Sequence, residues 1–154
     1  MSGERDSSAP HDLPDPPDEI AIGTASPDDR LDILRVLDAA MLETDAERVD
    51  AAIDAGDALV ARFKRTAAVV GALVATRPEP DRLHVDAVAV RRARGIGSAL
   101  VAAAVRRAER DAEAAVVTAE FDAKLESLYA DLGFDVVDED GRLRGVTRVD
   151  GGPE

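Results

Sequence analysis

Apolar positions follow two different spacings along the 154-residue chain, and these spacings predict alternating strands and helices. Short runs rich in Val, Ile and Ala predict strands over 20–25, 58–63, 67–76, 83–90, 115–120, 134–137 and 143–149. Apolar residues three and four positions apart predict helices over 26–41, 44–54, 98–112 and 123–132. The predicted order is therefore β-α-α-β-β-β-α-β-α-β-β, without an internal repeat.

The first 18 residues differ in composition from the rest of the chain. Four of the eight prolines lie there among Asp and Ser, and no apolar segment could form a core. We expect a disordered leader over residues 1–18 and a single domain over residues 19–150. The leader lacks the apolar segment of a secretory signal, and no run reaches the roughly 20 residues of a membrane span. We therefore expect a cytoplasmic protein without a membrane partner.

The charge balance excludes several classes of partner and ligand. The chain has 19 Lys and Arg against 32 Asp and Glu, and its net charge of −13 argues against a nucleic-acid partner. With no cysteine and two histidines, we expect no disulfide, no thiolate nucleophile and no metal site. Only Lys64 and Lys124 are lysines. This acidic, lysine-poor composition resembles that of proteins adapted to very high salt, and we hypothesise a halophilic archaeal source; a GC-rich genome is the alternative.

One segment departs from the general acidity. Residues 91–110 contain six arginines and one acid, a net charge of +5, whereas the rest of the chain sums to −18. The segment opens with Arg92-x-x-Gly95-x-Gly97 between a predicted strand and a predicted helix. Free backbone amides at a helix start bind anions, and glycine lets the anion approach closely. The alternative is a tight strand-to-helix turn followed by a solvated arginine face.

Two motifs resemble the GNAT superfamily of N-acetyltransferases. The loop resembles the family pattern Gln/Arg-x-x-Gly-x-Gly/Ala, and Tyr129-x-x-x-Gly133-Phe134 resembles the family's helix ending in Tyr-x-x-x-Gly-Phe. The resemblance covers about residues 20–149. It implies an α/β (α+β) fold with a central mixed, mostly antiparallel sheet of about seven strands flanked by about four helices. The family's loop follows a bulged strand, and the short connection Val90-Arg91-Arg92 leaves the position of the bulge open.

The resemblance also implies that acetyl-CoA is a co-substrate. In the family, the glycine-loop amides hold the pyrophosphate, the end of the fourth strand pairs with the pantetheine arm, and a tyrosine protonates the leaving thiolate. Tyr129 would be this general acid, and the alternative is a half-buried helix aromatic. The implied cofactor-binding residues are Val88, Ala89 and Val90 for pantetheine, and Arg92, Arg94, Gly95, Ile96, Gly97 and Ser98 for the pyrophosphate.

Neither motif defines the base that takes a proton from the amine. His84 and Asp86 share one face of the predicted fourth strand, and Glu120 ends the fifth. Each of these side chains could accept a proton in a cleft between the two strands. The alternative for each is a solvated polar position on a half-exposed strand.

These observations predict an acetyl-CoA-dependent N-acetyltransferase that moves an acetyl group to a primary amine of a small molecule or peptide. The transfer would be direct, because the chain has no cysteine to carry a covalent acetyl intermediate. Two other classes stay open: a non-catalytic acyl-CoA-binding sensor of the same fold, and an interaction domain without a ligand. The resemblance also allows a homodimer.

Overall fold

A computed structural model of the protein describes residues 13–40, 42, 45–91, 95–111, 114–121, 123–139 and 142–149. Its strands are β1 (Ile20–Thr24), β2 (Ala58–Phe63), β3 (Val69–Glu79), β4 (Arg82–Val90), β5 (Val116–Phe121), β6 (Asp135–Glu139) and β7 (Arg142–Arg148). Its α-helices are α1 (Arg30–Ala39), α2 (Ala46–Ala55), α3 (Ile96–Arg110) and α4 (Glu126–Asp131). Short 3₁₀ helices at Pro27–Asp29 and Ala123–Leu125 precede α1 and α4. The predicted order of elements is confirmed.

The seven strands form one sheet in the order β1-β2-β3-β4-β5-β7-β6. Neighbouring strands are antiparallel except β4 and β5, which are parallel. A parallel pair needs a crossover connection, and α3 supplies it. The mixed, mostly antiparallel sheet confirms the predicted fold class.

Helices cover both faces of the sheet and divide the core into two clusters. On one face, α1 and α2 bury Ile33, Leu37 and Val49 against β2 and β3. On the other face, α3 packs an apolar stripe that includes Leu100 and Val105 against the sheet. The spacing of these residues matches the helical period, so one side of each helix is removed from water. None of the described helices is long and apolar enough to cross a membrane.

The central strand β4 contains a bulge at Asp86. Val74 of β3 pairs with Ala87, but the next residue of β3, Ala75, pairs with Val85, so Asp86 is an additional residue. A bulge of this kind shifts the alternation of side chains between the two faces. Val85 accordingly lies in the core cluster of α3, whereas Ala87 lies in the cluster of α1 and α2. The structure therefore places the bulge that the sequence left open.

The pairing between β4 and β5 also ends beside the bulge. It runs from Arg82 opposite Val116 to Val85 opposite Ala119. β4 continues to Val90 and stays paired with β3, and β5 continues to Phe121 and stays paired with β7. The two strands therefore separate beyond Val85 and leave a gap in the sheet.

A buried carboxylate ties the sheet to two helices near the start of β4. Asp57 is 4% exposed and accepts hydrogen bonds from Nε and Nη2 of Arg77 at 3.0 and 3.2 Å. Nη1 of Arg77 donates to Asp111, directly after α3, at 2.7 Å. The hydrogen bonds to Asp57 raise the pKa of Arg77 above its ordinary value. A buried charge of this kind is tolerated because it is fully paired.

The chain before β1 lies against α3. Nη2 of Arg106 donates to the backbone carbonyl of Leu13 at 2.7 Å, and Leu13 packs against the core cluster of α3. The backbone N–H of Ile20 donates to the carbonyl of Pro17 at 2.9 Å. Residues 13–17 of the predicted leader thus contact the domain, and residues 1–12 lie outside the described residues. The division at residue 18 stays a prediction.

The contact between β3 and the start of α3 can be tested at Gly71. A Cβ atom at Gly71 would lie 3.0 Å from Cγ2 of Ile96 and 3.2 Å from Cδ1 of Leu100. We expect G71A to lower the free energy of unfolding by about 1–3 kcal/mol, the usual range for overpacking. Urea denaturation measures this change.

The matched control is Gly23→Ala on β1, where an added Cβ meets nothing within 4 Å. Because glycine weakens a strand interior relative to alanine, we expect G23A to retain or slightly raise the stability. Equal stabilities of G71A and the wild type would contradict the close packing of α3 on β3.

Candidate active site

Two adjacent cavities lie where β4 and β5 separate. The first, here called the apolar cavity, has a volume of about 290 Å³ and is lined by Val88, Val90, Gly97, Val101, Leu125, Leu128 and Tyr129. The second, here called the polar cavity, has a volume of about 200 Å³ and is lined by Leu42, Val85, Asp86, Ala87, Val88, Glu120, Phe121, Leu125, Tyr129 and Arg142. Val88, Leu125 and Tyr129 line both cavities, so the two spaces meet at these side chains.

Gly97, the last glycine of the loop motif, lines the apolar cavity. Gly95 is the N-cap of α3 and has a φ of 85°, a conformation that favours glycine. Gly95 has no side chain that could cap the helix, so it leaves the first amides of α3 without a capping bond from this residue. A Cβ at Gly97 would lie 3.7 Å from Cγ2 of Val90, at the cavity wall. A larger residue than alanine would therefore fill the space between β4 and α3.

The predicted cofactor-binding residues lie in three different settings. Gly97 and the side chains of Val88 and Val90 line the apolar cavity. Ile96 and Ala89 bury their side chains in the two cores, so only their backbone groups could contact a ligand. Gly95 and Ser98 belong to the first turn of α3. Arg92 and Arg94 lie outside the described residues.

Tyr129 is held rigidly at the junction of the two cavities. Its ring stacks on Phe121 with a centroid distance of 4.0 Å and meets the edge of Phe134 at 5.2 Å. Tyr129 is 4% exposed, and this burial raises its pKa to about 12. Within the described part of the chain, its hydroxyl has no hydrogen-bond partner. The phenol is therefore neutral at pH 7 and has a proton available for a ligand.

His84 lies outside both cavities. Its Nδ1 is 2.7 Å from Oγ1 of Thr118, and the two atoms share a hydrogen bond. Burial lowers the pKa of His84 below its ordinary value, although Asp86 and Glu120 act in the opposite direction. The imidazole is consequently neutral at pH 7, but one of its nitrogens is already engaged by Thr118.

The two carboxylates of the polar cavity differ in their partners. Nη1 of Arg48, on α2, donates to both oxygens of Asp86 at 3.2 and 3.1 Å. Glu120 is exposed at the end of β5, and no ion pair holds it among the described residues. Glu120 is thus the carboxylate of this cavity that is free to interact with a ligand.

Three residues of the site were missed by the sequence reasoning. Arg48 pairs with Asp86 across 38 positions, and only the packing of α2 against β2 and β3 brings them together. Arg142 lines the polar cavity from the start of β7. Leu125 lies in a 3₁₀ helix that the sequence predicts as the first turn of a longer helix. No local pattern marks Arg142 as a site residue, because its place depends on the pairing of β7 with β5.

The neutral state of His84 predicts a measurable pH dependence of stability. His84 binds its proton at a lower pH in the folded protein than in the unfolded chain. Between these two pKa values only the unfolded state is protonated, so the free energy of unfolding rises with pH in that range. As the pH falls, the free energy of unfolding begins to decrease near pH 6.5, the ordinary pKa of histidine. The decrease is complete below the pKa of His84 in the folded protein. We expect His84→Gln to lose less unfolding free energy than the wild type between pH 7.5 and 5.5. Parallel losses in both proteins, measured by urea denaturation at one salt concentration, would rule out a buried neutral His84.

Comparisons with known proteins agree with this geometry. The family model described as an acetyltransferase (GNAT) domain matches residues 27–150. Ard1 from Thermoplasma volcanium superposes with a TM-score of 0.70 at 18% sequence identity, over 85% of this chain and 98% of that chain. No curated protein matches the sequence.

Two further solved structures are similar to the fold. The structure of yncA, a putative acetyltransferase from Salmonella typhimurium with its cofactor acetyl-CoA, has a TM-score of 0.69 at 17% identity and covers 89% of this chain and 98% of its own. Arabidopsis thaliana NAA60 in complex with a bisubstrate analogue has a TM-score of 0.69 at 15% identity, over 86% of this chain and 99% of that chain. At these identities, the similarity concerns the fold. Because the family model covers most of the chain, the protein belongs to the GNAT acetyltransferase domain family.

Proposed function

We propose that this protein is an acetyl-CoA-dependent N-acetyltransferase that transfers the acetyl group directly to a primary amine. The observation that carries the proposal is Tyr129, which lines both cavities and whose hydroxyl has no hydrogen-bond partner among the described residues. Leaving a polar group unpaired costs about 1–3 kcal/mol. A ligand atom that accepts its hydrogen bond would offset that cost.

The apolar cavity suits the pantetheine arm of acetyl-CoA. The arm would lie along Val88 and Val90 and hydrogen-bond to the β4 backbone, which has no β5 partner beyond Val85 among the described residues. The pyrophosphate would bind the amides of Gly95–Ser98 at the start of α3, where the helix dipole favours an anion. Arg92 and Arg94 stay predictions for this role. The acetyl-CoA that yncA holds supports this placement by analogy of fold.

The chemistry needs one nucleophile, one acid and one base. The ammonium form of the acceptor first loses a proton to solvent. The free amine nitrogen then attacks the thioester carbonyl carbon and forms the N–C bond, and the C–S bond breaks with its electron pair on sulfur. The Tyr129 hydroxyl donates its proton to this thiolate, so that CoA leaves as the thiol. After the product leaves, Tyr129 regains a proton from solvent, and the residue that accepted the second amine proton releases it to solvent.

We assign the proton acceptor for the amine to Glu120. A carboxylate is a much weaker base than an aliphatic amine, so the transfer becomes favourable once the N–C bond has formed and the nitrogen is acidic. Glu120 lines the polar cavity without an ion pair in the described residues, whereas Asp86 is bound by Arg48 and His84 lies outside the cavity. Asp86 would then stabilise the cavity wall through its ion pair with Arg48 and would not accept the proton of the amine.

The setting of the enzyme follows from composition. We propose a cytoplasmic protein that works in high salt, because it carries a net charge of −13 and only two lysines. At high salt the arginines near the glycine loop would be strongly screened, so the backbone amides would contribute most to phosphate binding. A homodimer stays a prediction.

The general acid can be tested by Tyr129→Phe. The variant keeps the stacking on Phe121 and loses only a hydroxyl without a hydrogen-bond partner in the described residues, so its unfolding free energy should equal or exceed that of the wild type. We expect kcat to fall about 10²–10⁴-fold, the usual contribution of general acid catalysis. Thiol release from acetyl-CoA measures kcat, and urea denaturation measures stability. Unchanged kcat would refute the role of Tyr129.

The same assay separates an enzyme from a sensor. Calorimetry with acetyl-CoA shows whether the chain binds the ligand, and a panel of primary amines shows whether thiol is released. Binding without thiol release from any amine would favour the acyl-CoA sensor. Absence of binding, even in molar KCl, would favour an interaction domain.

The choice of base predicts an unequal response of two variants. We expect Glu120→Gln to lower kcat at least about 10²-fold, as expected for loss of a general base. His84→Gln should leave kcat essentially unchanged, because His84 lies outside the polar cavity. Acetyl-CoA affinity, measured by calorimetry, should be the same in both. The reverse order of the two kcat values would assign the base to His84 instead.

A further inference from the structure

Two side chains of opposite charge face the polar cavity without an ion-pair partner among the described residues. Glu120 is the penultimate residue of β5 and pairs in register with Arg144 of β7. Arg142 lies two residues before Arg144, on the same face of β7, and lines the same cavity as Glu120. Glu120 and Arg142 do not form an ion pair with each other. A cavity of about 200 Å³ thus presents one negative and one positive group to a ligand.

Asp86, the third charged residue of the cavity, already has an ion-pair partner. Asp86 accepts hydrogen bonds from Arg48 through both oxygens, at 3.2 and 3.1 Å. A cationic ligand would therefore approach Glu120 rather than Asp86. A ligand with a single positive charge would leave Arg142 unused, whereas a zwitterion would engage both free groups.

The remaining wall of the polar cavity is apolar. Leu42 and Leu125 are 37% and 36% exposed, and both belong to the few large apolar side chains that the described surface leaves open. Phe121 completes this wall. Covering such side chains is favourable by about 25 cal/mol per Å² of apolar area. An apolar group on the ligand would cover them.

The size of the cavity limits the ligand. Sites for drug-sized molecules usually measure about 300–1,000 Å³, and this cavity is smaller. It suits a single small residue that combines a charged amine, a charged acid group and a short apolar side chain.

We propose that the acetyl acceptor is a free α-amino acid with an apolar side chain. This inference rests on the proposed acetyltransferase function. Arg142 binds the α-carboxylate, Glu120 receives the α-amine, and Leu42, Leu125 and Phe121 contact the side chain. Arg142 is thus a specificity-determining residue, because it distinguishes an amino acid from an amine that lacks the carboxylate.

Matched acceptors test this assignment. L-leucine, leucinamide and isopentylamine share the same apolar side chain, but only leucine carries a carboxylate beside its amine. We expect the wild type to show a kcat/KM for leucine at least about tenfold above that for either of the other two, as a charge-assisted hydrogen bond provides. Thiol release from acetyl-CoA is the measurement.

Variants then assign the preference to Arg142. Arg142→Gln should raise KM for leucine about 10–100-fold and so remove most of the preference for leucine over isopentylamine, and Arg142→Lys should restore part of that preference. The control is Arg148→Gln at the opposite end of β7, which should affect neither acceptor. Equal use of leucinamide and leucine, or equal effects of R142Q and R148Q, would overturn the inference.

Binding experiments separate this inference from the proposed function. Calorimetry of leucine with the CoA-loaded protein reports acceptor binding without turnover. Leucine binding that depends on Arg142, without thiol release, would support the amino-acid site and refute the transferase. Thiol release from amines without a carboxylate preference would support the transferase and refute the amino-acid site.

Discussion

The strand β4 pairs with β3 along most of its length but with β5 along only its first four residues. The bulge at Asp86 lies where the second pairing stops, and it shifts the side-chain alternation of β4. Before the bulge, Val85 packs in the α3 core; after it, Ala87 faces α1 and α2, and Val88 and Val90 line the apolar cavity. Both cavities depend on this change, because an unbroken β4–β5 ladder would close the gap that they occupy.

Side chains around the gap have different roles because their partners differ. The ring of Tyr129 is fixed by Phe121 and Phe134, while its hydroxyl is left without a partner among the described residues. The unpaired hydroxyl lowers the stability of the fold slightly, and it is also a proton donor that is neutral and fixed in position. On the acceptor side, Arg48 neutralises Asp86, and His84 is held by Thr118. Under the proposed function, Glu120 and Arg142 then remain for the acceptor. The proposal thus assigns the paired side chains to the cavity wall and the unpaired ones to the ligand.

The sequence predicts the features of this fold that depend on local pattern. Apolar periodicity yields the order of strands and helices, and Gly97 and Tyr129, one from each motif, line one apolar cavity. The bulge depends on the register between β3 and β4, which no local pattern encodes, and the contact of Arg48 with Asp86 depends on how α2 packs. The three candidate bases looked equivalent as polar strand positions. Only their partners in the folded protein distinguish them.

The central claim is that acetyl-CoA enters the gap between β4 and β5 and places its sulfur at Tyr129. A crystal structure of the protein with CoA, grown in high salt, tests this claim most directly. We predict the pyrophosphate at the amides of Gly95–Ser98, the pantetheine arm beside Val88 and Val90, and the sulfur within hydrogen-bond distance of the Tyr129 hydroxyl. CoA bound elsewhere, or a sulfur out of reach of Tyr129 in an otherwise filled apolar cavity, would contradict it.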